Sequence, residues 1–169
     1  MKIGTKSILF GTHQFLWHPL TVILAWRRLF KVWPTWKETV CIFLHDTPGY
    51  WGKPNIDGPE GRVHPELGAK IAERLFGRPY GDFTRFHSRD YSRTWGGAPS
   101  KLCWADKYSV MYDPRWFYLF RAKLSGEVDE FRNNAPEYQR KERDIFWLNW
   151  YRTKVRNIKE IRELLDERN

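Results

Sequence analysis

Val40-Cys41-Ile42-Phe43-Leu44-His45-Asp46 is the stretch on which the reading turns. An apolar run ends in an imidazole followed directly by a carboxylate. Thr35 and Glu38 stand upstream at capping-box spacing, so the segment reads as a buried helix over about 35–46 that delivers His45 and Asp46 to its end. A buried carboxylate beside an imidazole is costly unless something cationic compensates it. A divalent transition metal does so, and mixed imidazole and carboxylate donors suit manganese, iron, cobalt, nickel or zinc.

Outward from this pair the chain reads as helix after helix. Pro19 fits a first helical turn, and Leu20, Ile23, Leu24, Arg27 and Phe30 follow at helical spacing. Residues 8–26 are apolar enough to raise a membrane question, but the stretch contains His13, Gln14, His18 and Pro19 and runs into Arg27 and Arg28. Polar groups there are expensive in lipid, so it reads as a buried core helix and no membrane association is expected. Residues 47–63 read as a long loop, of the kind that carries function in small domains. A further helix starts at Pro65, a short one capped by Asp82 carries His87, and another runs from Ser100 through Asp106 to about Tyr112. Asp113-Pro114 breaks the chain. Ile145, Leu148, Tyr151, Val155, Ile158, Ile161 and Leu165 form an amphipathic stripe, which predicts one long helix over about 136–166. No β signal is visible, and the expected class is all-α: a helical domain over 1–135 with a C-terminal amphipathic helix, 136–169, packed on it.

Composition narrows the function. The chain has 169 residues, an aromatic share of 17% and ten Trp, which excludes a disordered protein. Its net charge is +9. Residues 121–169 carry twelve Lys/Arg against ten Asp/Glu, so most of the excess lies earlier, around the histidines. This fits an anionic partner, a small phosphorylated molecule or nucleic acid, and equally fits simple solubility. Cys41 and Cys103 form neither a disulfide framework nor a Cys-x-x-Cys zinc site. They read as small core residues in a reducing cytoplasm.

Of the five histidines, four fall where a helix starts or stops, or beside a loop. His18-Pro-Leu-Thr-Val22-Ile-Leu-Ala25, the doublet His45-Asp46, and Lys101-Leu-Cys-Trp-Ala-Asp106-Lys together resemble the HD superfamily of metal-dependent phosphohydrolases. That family is named for its His-Asp pair. His64-Pro-Glu-Leu-Gly68-Ala and Phe86-His87-Ser-Arg resemble the additional histidine motifs of members that bind two metals. The resemblance spans residues 18–106 and extends to small bacterial and phage proteins. It implies a helical HD bundle in which His18, His45, Asp46, His64, His87 and Asp106 hold one or two metal ions, with Asp46 bridging. It also implies a cytoplasmic phosphohydrolase, in the host cytoplasm for a phage protein. In many two-metal members a lysine follows the doublet closely, whereas here Lys53 stands farther along, after Gly52.

Around these positions Lys53, Arg89, Arg93, Lys101 and Lys107 are candidate phosphate ligands. Tyr50 and Trp51 are candidates to stack on a planar group such as a base, so a nucleotide is the expected substrate class. Trp95 is a further stacking candidate, and Trp104 reads as core. Asp57, Glu60 and Glu66 lie near the long loop as candidate acids. His13 reads as a structural or supporting residue behind the ligands. The same ligand pattern is similar to that of HD-fold di-iron oxygenases, which metal identity and oxygen consumption would separate from a hydrolase. A non-catalytic binder of nucleic acid or protein is the remaining alternative; it would keep its function when Asp46 is substituted.

Overall fold

The computed structural model describes residues 1–166, and among them the chain is all-helical with no strand. The helices are α1 (Ile3–Phe10), α2 (Trp17–Phe30), α3 (Trp36–Leu44), the single turn α4 (Thr47–Tyr50), α5 (Pro65–Phe76), α6 (Arg78–Arg85) and α7 (Arg89–Trp95). They continue as α8 (Lys101–Ser109), α9 (Arg115–Ser125), α10 (Glu127–Asn133), α11 (Glu137–Arg140), α12 (Asp144–Arg156) and α13 (Lys159–Asp166). Among the described residues no helix is long and apolar enough to cross a membrane.

Local chemistry sets several of these boundaries. α3 opens on the expected capping box, with the Glu38 N–H donating to Thr35 Oγ1 at 3.3 Å and the Thr35 N–H to Glu38 Oε2 at 2.7 Å. α5 starts on Pro65, where a missing N–H costs nothing, and stops at Gly77. Ser100 stands at the start of α8, yet its Oγ donates to the Phe83 carbonyl at 2.8 Å, tying the glycine-rich loop back to α6 rather than capping α8.

The core centres on α2 and α8, which pack against each other. Val22, Ala25, Trp26 and Leu29 of α2 meet Leu102, Ala105 and Tyr108 of α8, with Ile42 of α3 beside them. Trp147, Leu148 and Val155 of α12 and Ile161 of α13 close the core from the C-terminal side. Both cysteines are buried and free.

Four expectations are corrected. The helix expected over 8–26 is broken between α1 and α2. A buried carboxylate causes the break: the Thr12 N–H donates to Glu127 Oε2 at 2.7 Å, and a Cβ on Gly11 would overlap the same carboxylate. Gln14 Oε1 then accepts the Trp17 N–H at 2.6 Å and starts α2. The loop expected over 47–63 contains α4. α6 begins at Arg78 rather than at Asp82, whose carboxylate instead pairs with Arg85 at 2.8 Å, and His87 lies in the turn beyond that helix. The single C-terminal helix is three pieces; between the first two, the Arg132 guanidinium takes the carbonyls of Arg140 and Glu142 and holds the chain out of helix.

The turn after α8 depends on a buried ion pair. Asp113 pairs with Arg121, whose Nη1 also donates to the Gly11 carbonyl at 2.7 Å, and the Trp17 indole N–H donates to Asp113 at 3.2 Å. Asp113→Ala would leave a buried guanidinium without its counter-charge, which costs about 3–5 kcal/mol. Urea unfolding followed by circular dichroism should show that loss. The double variant Asp113→Leu with Arg121→Met, which removes both charges, should recover most of it.

Candidate metal centre

Five parts of the chain converge on one point. His18 comes from the first turn of α2, His45 and Asp46 from the end of α3, and Asp106 from α8. His64 at the start of α5 and His87 beyond α6 arrive from the other side. α5 can approach the end of α3 only because residue 68 is glycine: a Cβ there would overlap the Leu44 carbonyl oxygen.

Three imidazoles are anchored in the same manner. Nδ1 of His45, His64 and His87 lies 2.5, 2.7 and 2.7 Å from the carbonyl oxygens of Ile42, Gly61 and Thr84, each three residues earlier. A carbonyl only accepts, so each Nδ1 carries the proton and donates. Nε2 is thereby turned inward as the ring nitrogen that takes either a second proton or a metal, which is how histidines that ligate metals are oriented.

The inward-facing atoms form two groups that share Asp46. Asp46 Oδ2 lies 3.3 Å from His18 Nε2 and 3.1 Å from His45 Nε2, and Asp106 Oδ1 lies 3.2 Å from His18 Nε2. Asp46 Oδ1 lies 3.3 Å from Nε2 of both His64 and His87. The two Nε2 atoms are 3.2 Å apart in the His18–His45 pair and 3.0 Å apart in the His64–His87 pair. Two bare Nε2 atoms this close repel unless a proton or a metal cation lies between them. Donors about 2.0–2.2 Å from a common ion sit roughly 3.0–3.5 Å apart along a coordination edge. The separations and the N/O donor set therefore fit divalent transition-metal ions, one in each group.

Protons respond to the same field. Burial works against ionisation of Asp46, but the charge on His45 and hydrogen bonds from His18, His45 and His64 outweigh it and hold the carboxyl well below the usual range. Asp106 is also held well below that range: burial is outweighed by the Lys107 charge and by hydrogen bonds from His18 and His45. Burial disfavours the His45 cation, yet Asp46 and Asp106 raise its pKa to about 10. At His87 burial prevails over the pull of Asp46, helped by the nearby His45 charge, and its pKa falls to about 4.

The other candidates divide. Tyr50 is buried and stacks on the His64 ring, with centroids 4.2 Å apart and planes at 15°. It lines the cavity over the centre, as do Lys107, 3.5 Å from Asp106, and Asp57, whose carboxylate accepts from the Asn134 amide at 3.1 Å. Arg89 and Arg93 line the adjoining outer cavity. Lys53, Trp51 and Lys101 line neither cavity: Trp51 is 59% exposed, Lys101 lies over the Phe30 ring, and the Lys53 carbonyl accepts from the Gly4 N–H at the start of α1. Glu60 is occupied by the Asn55 amide and Glu66 by Tyr91 and Arg85, while Trp95 stacks on Tyr91 and Trp104 lies beneath Arg89.

Sequence reasoning missed Glu127. This fully buried carboxylate accepts from Ser7 Oγ at 2.7 Å, Thr12 Oγ1 at 2.5 Å and Ser125 Oγ at 2.5 Å, and lies 2.9 Å from His13 Nδ1. His13 in turn touches the His18 and Tyr50 rings, so the network supports the centre from behind. Burial would raise the Glu127 pKa, but the His13 hydrogen bond and charge, with Ser125 and Thr12, bring it below the ordinary value. Nothing in the local sequence pairs residue 127 with residues 7–13. Tyr151 and Lys154 of α12 also line the cavity and were missed, since they belong to an element read only for its apolar stripe; Asn134, at the end of α10, lines it too and lies in a stretch with no local signal.

The fold and site thus define an all-helical protein with a buried His/Asp cluster able to hold metal. Compared with known proteins, the chain matches no family model, no curated protein and no solved structure.

Two predictions follow from these charges. With a pKa of about 10 in protein stripped by a chelator, His45 is protonated at neutral pH, and metal uptake must displace that proton. Metal affinity should rise steadily as pH increases from about 6 to 9, and weakly buffered titrations should show proton release. Glu127→Gln should cost about 1–3 kcal/mol in urea unfolding. A carboxylate with a depressed folded pKa contributes fully above the unfolded value, about 4.3, and loses its contribution as pH falls through the folded one. The gap between wild type and Glu127→Gln should therefore narrow below that value.

Proposed function

We propose that the protein is an HD-type metal-dependent phosphohydrolase that cleaves a phosphate ester or anhydride of a small anionic substrate, a nucleotide being the expected class. The observation that carries this reading is the Asp46 carboxylate, which offers one oxygen to each of two histidine groups. His18, His45, Asp46 and Asp106 would hold one ion, and Asp46, His64 and His87 the other. When bound, divalent cations supply Lewis acidity that activates water and offsets charge on phosphoryl oxygens. The chain's own residues supply the rest. Lys107 faces the cavity beside Asp106 and binds phosphate charge. The carbonyl anchors fix the imidazoles, the Tyr50 ring holds His64 in plane, and the aromatic wall of Phe131, Trp147 and Trp150 excludes water from one side.

The test joins metal analysis to turnover. Protein from manganese- or iron-supplemented cells should contain one to two transition-metal ions per chain and release phosphate from members of a nucleotide panel. Asp46→Ala, with its helical circular dichroism spectrum intact, should lose most of the metal and at least about a thousandfold in rate. Metal content and turnover unchanged in the variant would sink the reading. So would an iron-loaded protein that consumes dioxygen and hydrolyses no phosphate ester.

A further inference from the structure

The cavity over the His/Asp centre has a volume of about 270 Å³ and adjoins an outer one of about 550 Å³, the two sharing Tyr50, His64, Lys107, Tyr151 and Lys154 among their walls. Five cationic side chains line the outer cavity, and they are not equivalent. Arg62 and Arg93 share the one carboxylate of Asp90, at 3.3 and 3.4 Å, and Lys107 is paired with Asp106 at 3.5 Å. Arg89 and Lys154 have no carboxylate partner among the described residues. Each is held on an aromatic face instead, the Arg89 guanidinium 5.7 Å from the centroid of the Trp104 ring and the Lys154 ammonium 5.1 Å from that of Trp150. A ring face positions a cation without cancelling its charge. The remaining acidic group at the mouth, Asp57, is engaged by Asn134, and the two free cations outweigh it.

We propose that Arg89 of α7 and Lys154 of α12 form a second anion subsite at the mouth of the metal cavity, and that the substrate carries two phosphoryl groups, one seated at the His/Asp centre and the other held by this pair. The proposal rests on the phosphohydrolase reading for the inner group and goes beyond it in naming a doubly phosphorylated substrate. It also gives the C-terminal helix a part in binding, since Lys154 and Tyr151 reach the cavity from α12. Two cations fixed at the rim attract such a ligand more strongly than a monophosphate, because only the former reaches both positions.

Isothermal titration of metal-loaded protein with α,ω-alkylene bisphosphonates of increasing chain length, against alkyl monophosphonates of matched length, tests this directly. At the best length the bisphosphonate should bind about tenfold or more tightly than its monophosphonate. Lys154→Gln and Arg89→Gln should each remove most of that advantage, lowering bisphosphonate affinity far more than monophosphonate affinity and leaving metal content unchanged. Lys70→Gln, which removes the same charge from the exposed face of α5, should change neither. Full metal content with an undiminished bisphosphonate advantage in both variants overturns the subsite and leaves the phosphohydrolase reading standing. A protein that takes up no metal, yet loses its bisphosphonate advantage in Lys154→Gln, keeps the subsite and sinks the metal-centre reading instead.

Discussion

The Asp46 carboxylate, buried among four imidazoles, is the constraint that the rest of the molecule serves. One of its oxygens faces His18 and His45, the other His64 and His87, all at 3.1–3.3 Å. A carboxylate removed from water is stable only when its charge is met on every side. Meeting it here requires α2, α3, α5 and the turn after α6 to end within a few ångströms of one another. That convergence explains features that look unrelated in isolation. Gly68 lets α5 come against the Leu44 carbonyl, and Gly49 lets the α4 turn come against that of His64, since a Cβ at either position would overlap the oxygen. The three Nδ1–H to carbonyl hydrogen bonds then remove the rotational freedom of the rings, so the inward nitrogens stay aimed at a common centre.

Charge is arranged around that centre in shells of opposite sign. Lys107 lies next to Asp106, and Glu127 lies behind His13, which in turn touches His18. The basic excess of the sequence is therefore not spread evenly with respect to the site. Part of it neutralises nearby acids, as Arg62 and Arg93 do with Asp90, and part remains unpaired on aromatic supports at the mouth. A net charge summed over the sequence cannot distinguish these two uses.

What was legible in the sequence was what local pattern encodes. The all-helical class, the capping box at Thr35–Glu38, the start of α5 at Pro65 and the delivery of His45-Asp46 to a buried helix end all follow from spacing and residue type. The convergence of the four histidines with Asp46 and Asp106 was suggested only by the order of motifs along the chain, because no local rule brings residue 18 to residue 106. The break between α1 and α2 was only half legible, for a related reason: Pro19 marks the first turn of α2, but nothing local stops the run before it. An apolar run with helical periodicity is interrupted by the carboxylate of residue 127, more than a hundred positions away. Three distant donors and a backbone N–H satisfied by one glutamate outweigh the propensity of a few residues to continue a helix.

The C-terminal segment shows the same limit from the other side. Its stripe of Leu148, Val155 and Ile161 correctly marks the face that enters the core. A stripe says nothing about the flanks, however, and the flanks decide whether such a helix is an appendage or a wall. Here Arg132 captures the carbonyls of Arg140 and Glu142, which ends the short α11 and resets the start of α12. The reset directs Tyr151 and Lys154 at the cavity while Trp147 and Leu148 stay in the core. One guanidinium on α10 thus couples the packing of the last helices to the shape of the site, and the apolar and polar sides of α12 answer to the same geometry.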